Sequence, residues 1–242
     1  KDYDPSKYMD RKELRKCDRY TQLAIGSSEE AIADSGLDFE KENCDRIGVI
    51  MSAGIGGIRT FEEEVGYYFT HEDMGPKYNP FFIPKMISDI AAGLISIRHG
   101  LRGPNYGTVS ACASSTHSAI SAFDHIRLGK AEVMVVGGAE AAISVSGVGG
   151  FNAMTALSTR NDSPTTASRP FSASRDGFVI GEGSACLIFE ELEHALARGA
   201  KIYAEVIGGG MSADAYHLTA SHPDGLGAKL VMRNALADAN ID

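Results

Sequence analysis

The sequence predicts an α/β protein in which a mainly parallel sheet lies between layers of helices. Two short runs, 46–52 and 132–138, are predicted to be buried strands, and the second is apolar throughout after its first residue, which is typical of strands buried on both faces. Segments with apolar residues at helical spacing lie between and after these runs, and that alternation favours a parallel sheet. A chain of 242 residues is long enough for one large α/β core or for half of a two-lobed fold.

Composition and charge narrow the class of function. Apolar residues make up 43% of the chain and charged residues 23%, as in soluble globular proteins. No run approaches the roughly 20 apolar residues that cross a bilayer, and no signal peptide is visible in this stretch of sequence. The four cysteines have no paired spacing, so we expect a reducing, cytoplasmic location and no disulfide framework. A net charge of −9 argues against a nucleic-acid-binding surface.

The first helix is predicted from about Asp10 to Asp34, after a loop over 1–10, and it ends at Ser35 and Gly36. The chain has no initial Met and opens on a polar stretch, so we expect it to be a piece of a longer polypeptide. The first helical turns carry a basic cluster of Arg11, Lys12, Arg15 and Lys16. Such a cluster is either a solvated face or, on an acidic protein, a docking site for an acidic partner.

A buried strand over 46–52 follows, and then a glycine turn over 53–57. This turn lacks the third glycine of a dinucleotide-binding fingerprint, so close approach of the backbone to another element is favoured over phosphate binding. A surface helix over 59–69 and a loop over 70–80 come next. The proline-bracketed pair Phe81 and Phe82 could belong to the core or line a pocket or an interface. A helix from about Lys85 to His99 follows.

The stretch 105–129 has the clearest chemical signal. A short β-rich run leads through Ser110 and Ala111 to Cys112, and a helical series ending at Gly129 follows. This pattern places Cys112 at the first turn of a helix, where free backbone N–H groups and the helix dipole favour a thiolate. The same N–H groups can hold the oxygen of a tetrahedral acyl intermediate. A buried, inert cysteine is the alternative, and the local pattern does not decide between them.

The C-terminal part continues the alternation of elements. We predict a strand over 132–138, a small and glycine-rich segment over 141–160, a long loop over 161–182, a strand over 183–190, the start of a helix over 191–199, a strand over 202–207 and a helix over 226–240. Loops as long as 161–182 are usually functional or form interfaces.

Eleven short motifs occur in one order along the chain, from about residue 9 onwards: AGIGG (53–57), NPFFIP (79–84), GLRGPN (100–105), SACAS (110–114), GGAE (137–140), GVGGF (147–151), ALSTRND (156–162), ASRPF (167–171), RDGFVIGEG (175–183), RGAKIYAE (198–205) and SADAYH (212–217). In these motifs the chain resembles the β-ketoacyl-[acyl-carrier-protein] synthase family, most closely the type II elongating synthases of bacterial fatty-acid synthesis. The resemblance implies a thiolase-like layered fold of five layers (αβαβα) in two similar lobes, normally a homodimer. Residues 1–242 would then be mainly the N-terminal lobe, without its first strand and without the C-terminal lobe.

The resemblance also implies an acyl-binding site. Cys112 matches the acyl-accepting nucleophile, and its backbone N–H matches half of the oxyanion hole. Ile55 falls where the family gates the fatty-acyl pocket. Phe82 and Phe151 fall at pocket-lining positions, and Phe82 is expected to reach the pocket of the neighbouring subunit. These three apolar residues could instead be ordinary core.

Two further matches lie outside the pocket. Asp214 falls in a loop motif near the active site, although it could simply cap a turn or a helix. Lys12, Arg15 and Lys16 match the basic helix that contacts the acidic acyl carrier protein.

The chain also departs from the family pattern. The family's two catalytic histidines, one within Asn-Ala-His-Gly-Thr and one preceded by Thr-Gly, have no counterpart, and neither does the phenylalanine-glycine loop. The seven histidines offer no substitute, because His117 and His125 are predicted to lie off the face of the helix that presents Cys112. Ser172 stands where an Asp commonly follows the Arg-Pro-aromatic motif.

The implied activity is that of a 3-oxoacyl-[acyl-carrier-protein] synthase, an acyltransferase that joins a malonyl unit to an acyl chain held on Cys112. The resemblance implies no metal and no cofactor, since the pantetheine arm arrives on the carrier protein. The 242 residues alone are expected to be inactive. A polyketide ketosynthase or a thiolase is an alternative enzyme, and a non-catalytic partner subunit is an alternative of another class. Cys112 argues against the last, because such subunits commonly carry Gln there.

Overall fold

The computed structural model describes residues 3–241 and is built on one four-stranded sheet. The strands are β1 (Ile47–Ser52), β2 (Asn105–Tyr106), β3 (Val133–Glu140) and β4 (Gly183–Glu190). Their order is β2–β1–β3–β4, with β1 parallel to both of its neighbours and β4 antiparallel to β3. The prediction of a mainly parallel sheet is therefore confirmed, and the antiparallel member is at the edge.

The helices of the described chain are α1 (Arg11–Leu14), α2 (Arg19–Ser35), α3 (Ile58–Thr70), α4 (Phe82–Met86), α5 (Ile90–His99), α6 (Ser114–Arg127), α7 (Val145–Ala153), α8 (Leu192–Ala197) and α9 (Leu226–Ala239). The predicted strands before residue 191 and the helices over 59–69, 191–199 and 226–240 are confirmed, with shifts of one or two residues at most ends. Lys1 and Asp2 of the predicted opening loop lie outside the described residues.

Two helical layers enclose the sheet. Helices α2 and α5 pack on one face, against a buried set that includes Val49, Met51 and Val135. Helix α6 packs on the other face, against Ile50 and Met134. Side chains of a strand alternate between its two faces, so a strand covered on both sides must be apolar throughout. This explains why β1 and the first half of β3 are continuously apolar.

The predicted helix from Asp10 to Asp34 is wrong in one respect, because it is two helices. Helix α1 ends at Leu14, and the buried Asp18 then caps α2 by accepting a hydrogen bond from the backbone N–H of Tyr20. The other carboxylate oxygen of Asp18 accepts the N–H and the hydroxyl of Thr60, at 2.9 and 2.6 Å. A contact with α3 thus fixes the break between α1 and α2. The spacing of apolar residues along the chain does not reveal this contact, so the break could not be predicted from it.

The predicted helix over 85–99 is also divided. Helix α4 ends at Met86, Ile87 is extended, and α5 begins at Ile90. The buried Tyr20 hydroxyl donates to the carbonyl oxygen of Ile87 at 2.5 Å, so the break satisfies a polar group from α2.

Two further differences concern the C-terminal part. The structure has no strand at 202–207 within the described residues, although the segment is apolar. The Tyr203 hydroxyl donates to Asp34 at 2.9 Å and the Gly209 N–H donates to Asp238 at 2.9 Å, so side chains hold this stretch instead of a sheet ladder. Helix α7 lies within the small, glycine-rich segment, where low helix propensity hides it from the sequence.

Candidate active site

Cys112 lies in a tight elbow between β2 and α6. The backbone reverses at Ala111, whose φ of +50° is in the left-handed region that non-glycine residues rarely adopt. A 3₁₀ turn over Ala111–Ala113 then leads into α6, so Cys112 precedes the first residue of that helix. Such a backbone conformation costs about 1–3 kcal/mol and persists only where its surroundings enforce it. Strain of this kind is typical of functional sites.

The thiol of Cys112 is exposed, so the alternative of a buried, inert cysteine is wrong. The other three free cysteines of the described chain are partly or fully buried. Burial raises the pKa of the Cys17 thiol to about 11 and that of Cys186 to about 12. Since the thiolate is the nucleophile, these two are poor candidates for covalent chemistry.

Ser114 closes the elbow with its side chain. Its hydroxyl donates to the carbonyl oxygen of Ala111 at 2.7 Å and accepts the N–H of Ser110 at 2.9 Å. The bonds therefore fasten the carbonyl of the strained residue and the N–H of the residue before it. Ser114 is buried, so water does not compete for them.

A cluster of three further hydroxyls ties the elbow to the sheet; we call Ser52, Thr108 and Ser118 the hydroxyl cluster. The Thr108 hydroxyl is 2.7 Å from that of Ser52 and 3.2 Å from that of Ser118, and it donates to the carbonyl oxygen of Ser114 at 2.8 Å. The Ser52 and Ser118 hydroxyls are also hydrogen-bonded to each other. These residues come from the end of β1, the segment before the elbow and α6. Sequence reasoning missed them, and a serine at the end of an apolar strand was the one available signal.

The two histidines of α6 contact hydroxyl groups. The imidazole Nδ1 of His117 lies 2.7 Å from the hydroxyl of Ser110, which precedes the strained Ala111. The ring of His125 packs on Tyr106 and hydrogen-bonds that hydroxyl at 2.9 Å. Neither contact is with Cys112, and the expectation that both residues lie off its face stays a prediction.

The glycine turn over 53–57 packs against the elbow. A Cβ added at Gly54 would lie 3.2 Å from the carbonyl oxygen of Ala111 and 3.3 Å from a carboxylate oxygen of Glu140. On the far side, a Cβ at Gly57 would lie 2.4 Å from the carbonyl oxygen of Lys85. The predicted close approach of the backbone is confirmed on both sides of the turn. Ile55 at its tip is 44% exposed, so it does not belong to the core.

Glu140, at the end of β3, holds this turn. Its carboxylate accepts the N–H of Ile55 at 2.7 Å and the N–H of Ala141 at 3.2 Å. Burial raises the pKa of the Glu140 carboxyl, while these backbone N–H groups act in the opposite direction. The GGAE motif had marked this residue, but no role was predicted for it.

The two aromatic candidates are partly buried in separate clusters. Phe82, the first residue of α4, stacks on Tyr78 with ring centroids 5.1 Å apart and faces Phe61 at 6.4 Å. Phe151 of α7 meets Phe178 edge-on at 5.2 Å. Their pocket-lining role stays a prediction.

Asp214 makes the contacts of a turn cap. Its carboxylate accepts the N–H of Tyr216 at 3.2 Å and the N–H of His222 at 3.1 Å. Both bonds lie within its own loop, where Ala215 has a φ of +49°. This agrees with the structural alternative, and a role at the active site stays a prediction.

The basic cluster is exposed on and just after α1. Lys12, Arg15 and Lys16 are all open to solvent, and the Lys16 ammonium lies 5.5 Å from the ring centroid of Phe81. Helix α1 is anchored by Glu13, whose carboxylate pairs with Arg98 at 3.0 Å. The cluster is thus held on a short, fixed helix where a macromolecule can reach it.

The described residues contain neither a candidate metal site nor a candidate membrane span. No three His, Cys, Asp or Glu residues within 3–241 are grouped so that they could hold a metal ion. Across the same residues, no helix combines the length and apolar character needed to cross a membrane.

Comparison with known proteins gives consistent matches. Residues 3–195 match the family described as Beta-ketoacyl synthase, N-terminal domain. The 3-oxoacyl-[acyl-carrier-protein] synthase 2 of Vibrio harveyi is 48% identical over 241 residues, which cover 100% of this chain and 58% of that protein. The chain therefore spans about 58% of the length of the curated relatives it matches.

Two solved structures extend the comparison. A β-ketoacyl synthase from Burkholderia phymatum STM815 is 36% identical, with a TM-score of 0.86 over 96% of this chain and 56% of that one. A type II polyketide synthase acyl-carrier protein in complex with its ketosynthase, bound to the hexaketide, is 31% identical, with a TM-score of 0.86 over 93% of this chain and 56% of that one.

Proposed function

Because the chain belongs to the β-ketoacyl synthase family and has the thiolase-like fold of its structural neighbours, we propose that residues 1–242 form the N-terminal lobe of a 3-oxoacyl-[acyl-carrier-protein] synthase. The observation that carries the proposal is the exposed thiol of Cys112 on a strained elbow at the start of α6. The whole protein would condense a malonyl unit with an acyl chain during fatty-acid elongation, in the cytoplasm.

The first half-reaction is an acyl transfer. The thiolate of Cys112 attacks the carbonyl carbon of an acyl thioester, and the new carbon–sulfur bond forms as the bond to the carrier's pantetheine sulfur breaks. The pantetheine thiolate leaves and takes up a proton. In this proposal the backbone N–H of Cys112 donates to the tetrahedral oxyanion and stabilises its charge, since the N–H groups of Ala113 and Ser114 already donate to the carbonyl oxygens of Ser110 and Ala111.

The second half-reaction joins the two acyl units. The malonyl thioester loses CO₂, and the resulting enolate attacks the carbonyl carbon of the acyl-cysteine and releases the Cys112 thiolate. Donors that stabilise the enolate are expected from the two family histidines of the C-terminal lobe, outside this chain. The reaction needs no cofactor beyond the pantetheine arm of the carrier.

The proposed acyl pocket uses Ile55 as its gate, with Phe82 and Phe151 as lining residues and Asp214 in a loop beside the site. The exposure of Ile55 next to the elbow supports the first of these roles. In the proposed homodimer, Phe82 reaches the pocket of the second copy.

The proposed partner is the acyl carrier protein. Lys12, Arg15 and Lys16 offer three exposed positive charges on a protein of net charge −9, so an acidic carrier would be steered to this one surface. A structural neighbour of the chain is a ketosynthase in complex with its acyl-carrier protein, which supports a carrier as partner.

The test is acylation of the full-length protein by an acyl carrier thioester, followed by peptide mass spectrometry. We expect the acyl mass on the peptide that contains Cys112. The Cys112→Ala variant should lose that mass, and the matched control Cys44→Ala should keep it, because Cys44 is partly buried and its thiol contacts the Phe39 carbonyl. Acyl transfer to another cysteine would refute the role of Cys112. A preference for acyl-coenzyme A over the carrier thioester would favour the thiolase alternative.

A further inference from the structure

The glycine turn over 53–57, which we call the gate turn, is held between two fixed elements. On one side, the Gly57 N–H donates to the carbonyl oxygen of Met86 at 3.0 Å, and a Cβ at Gly56 would lie 3.2 Å from the same oxygen. On the other side lies the carboxylate of Glu140. Backbone contacts thus block a shift of the turn toward α4, and on the side of β3 the turn is hydrogen-bonded to Glu140.

Glu140 is suited to this task because a carboxylate accepts several hydrogen bonds and donates none. Its Oε2 accepts the Ile55 N–H at 2.7 Å, and its Oε1 accepts the Ala141 N–H at 3.2 Å. One carboxylate thus bonds the tip of the gate turn to the residue that follows β3, and the backbone N–H groups of Gly54 and Gly56 lie close enough to help lower the pKa of this carboxyl. Hydrogen bonds to an ionised acceptor are stronger than neutral ones.

The same contacts couple the gate turn to the nucleophile. Gly54 packs closely on both groups, because the Ala111 carbonyl oxygen and Glu140 Oε2 would be only 3.2 and 3.3 Å from an added Cβ and would have to yield by a few tenths of an ångström. The Ala111 carbonyl is in turn held by the hydroxyl of Ser114 at 2.7 Å. If the carboxylate moved, the backbone at Ile55 would move first, because Glu140 is bonded to it directly. The elbow would move only as a consequence, through its contact with Gly54.

We propose that Glu140 is a positioning residue that fixes the gate turn, and with it Ile55, beside the Cys112 elbow, so that Glu140 sets the protein's discrimination between acyl chain lengths. The inference rests on the proposed function, since it gives the gate turn a role in acyl binding. It adds a determinant that does not touch the acyl chain: Glu140 acts through the backbone of residues 54–56.

The experiment compares full-length Glu140→Gln with a matched control, Glu62→Gln. Gln has nearly the shape of Glu, but one of its two terminal groups is an NH₂. That group is a hydrogen-bond donor and cannot accept a bond from the backbone N–H groups that the Glu140 carboxylate faces. Glu62 accepts one backbone N–H, that of Ser146 at 2.6 Å, and this bond leads to α7 instead of the gate turn. The measurements are amide hydrogen exchange over 53–57, alkylation of Cys112 by iodoacetamide, and kcat/KM for transfer of a short and a long acyl chain from the carrier.

In Glu140→Gln we expect exchange over 53–57 to be at least about tenfold faster, because charge-assisted hydrogen bonds are lost. The ratio of kcat/KM between the two chain lengths should fall at least about fivefold toward one, and alkylation of Cys112 should change less than about twofold, since Ser114 still holds the elbow. The Glu62→Gln control should match the unmodified protein in all three. A loss of equal size for both chain lengths, or unchanged exchange over 53–57, would overturn the inference. If the unmodified protein transfers neither acyl chain, the proposed function is wrong, and so is the role of Glu140 in chain-length discrimination. The hydrogen-exchange data would still show whether Glu140 holds the gate turn.

Discussion

The hydroxyl cluster provides a sharp test of what holds the Cys112 elbow in place. In Thr108→Val the side chain keeps its shape but loses the hydroxyl that contacts Ser52 at 2.7 Å, Ser118 at 3.2 Å and the Ser114 carbonyl at 2.8 Å. The backbone N–H of Thr108 still donates to Ser52, so that serine keeps a partner. Each hydroxyl has one proton, so besides its bond to the Ser114 carbonyl Thr108 accepts one proton from the two serines, which also bond to each other. The two lost bonds are worth about 1 kcal/mol each, and the added methyl group offsets about 0.8 kcal/mol of the sum. The net expected loss is about 1 kcal/mol, or roughly a fivefold drop in the folding equilibrium constant.

Urea unfolding of Thr108→Val beside Thr116→Val measures this loss. Thr116 is exposed on α6, so the same change of atoms there should alter the free energy of unfolding by less than about 0.5 kcal/mol. Because the cluster also fixes the elbow, acyl transfer to Cys112 should slow in the first variant and stay unchanged in the second. Equal stability and equal transfer rates in the two variants would show that the elbow is held without the hydroxyl cluster.

Two more predictions concern charge. Lys12→Glu should raise the KM for an acyl carrier thioester severalfold at low salt and leave kcat unchanged. Added salt should reduce the difference in KM between the variant and the unmodified protein, because salt screens the attraction between surface charges. A difference in KM that does not depend on salt would argue against docking at Lys12. The hydrogen bond that the His194 ring donates to Glu190, and more weakly the charge of Glu42, raise the pKa of His194 above 6.5, so the protonated imidazole stabilises the fold. That stabilisation is complete below the unfolded pKa and is lost as pH rises through the raised one. The Tm difference between the protein and His194→Gln should therefore be largest near about pH 6 and shrink above about pH 7. A difference that grows with pH would contradict the assignment.

Local patterns predicted those parts of the fold whose causes are local. The strand β1 and the helix α6 follow from an apolar run and from apolar residues at helical spacing, and both are where the pattern put them. The break between α1 and α2 depends on Asp18 bonding to Thr60, 42 residues away. The segment 202–207 has the residues of a strand, but a strand also requires a neighbour to pair with, and composition does not specify one.

The same distinction between local and long-range causes applies to the candidate site. Cys112 could be singled out from a strand-turn-helix pattern with small neighbours, and the motif resemblance then supplied Ile55 and the basic cluster. The residues that hold Cys112 could not be found in this way. Ser52, Thr108 and Ser118 are ordinary small polar residues, and only the fold brings their hydroxyls together.

These contacts also explain how a strained backbone is maintained at Ala111. The Ala111 carbonyl and the N–H of Ser110 are bonded to one hydroxyl, that of Ser114, and the Ser114 carbonyl is itself bonded to Thr108. The gate turn closes the remaining side, because Gly54 packs on the Ala111 carbonyl and is backed by Glu140. Every partner in this arrangement belongs to the described chain. The position of Cys112 is therefore fixed by residues of the described chain itself, whereas the proposed enolate chemistry requires donors expected from the proposed C-terminal lobe. The two half-reactions should therefore respond to different substitutions. Substitutions around Ala111 should slow acyl transfer to Cys112, and they should slow condensation only because less acyl-cysteine is formed.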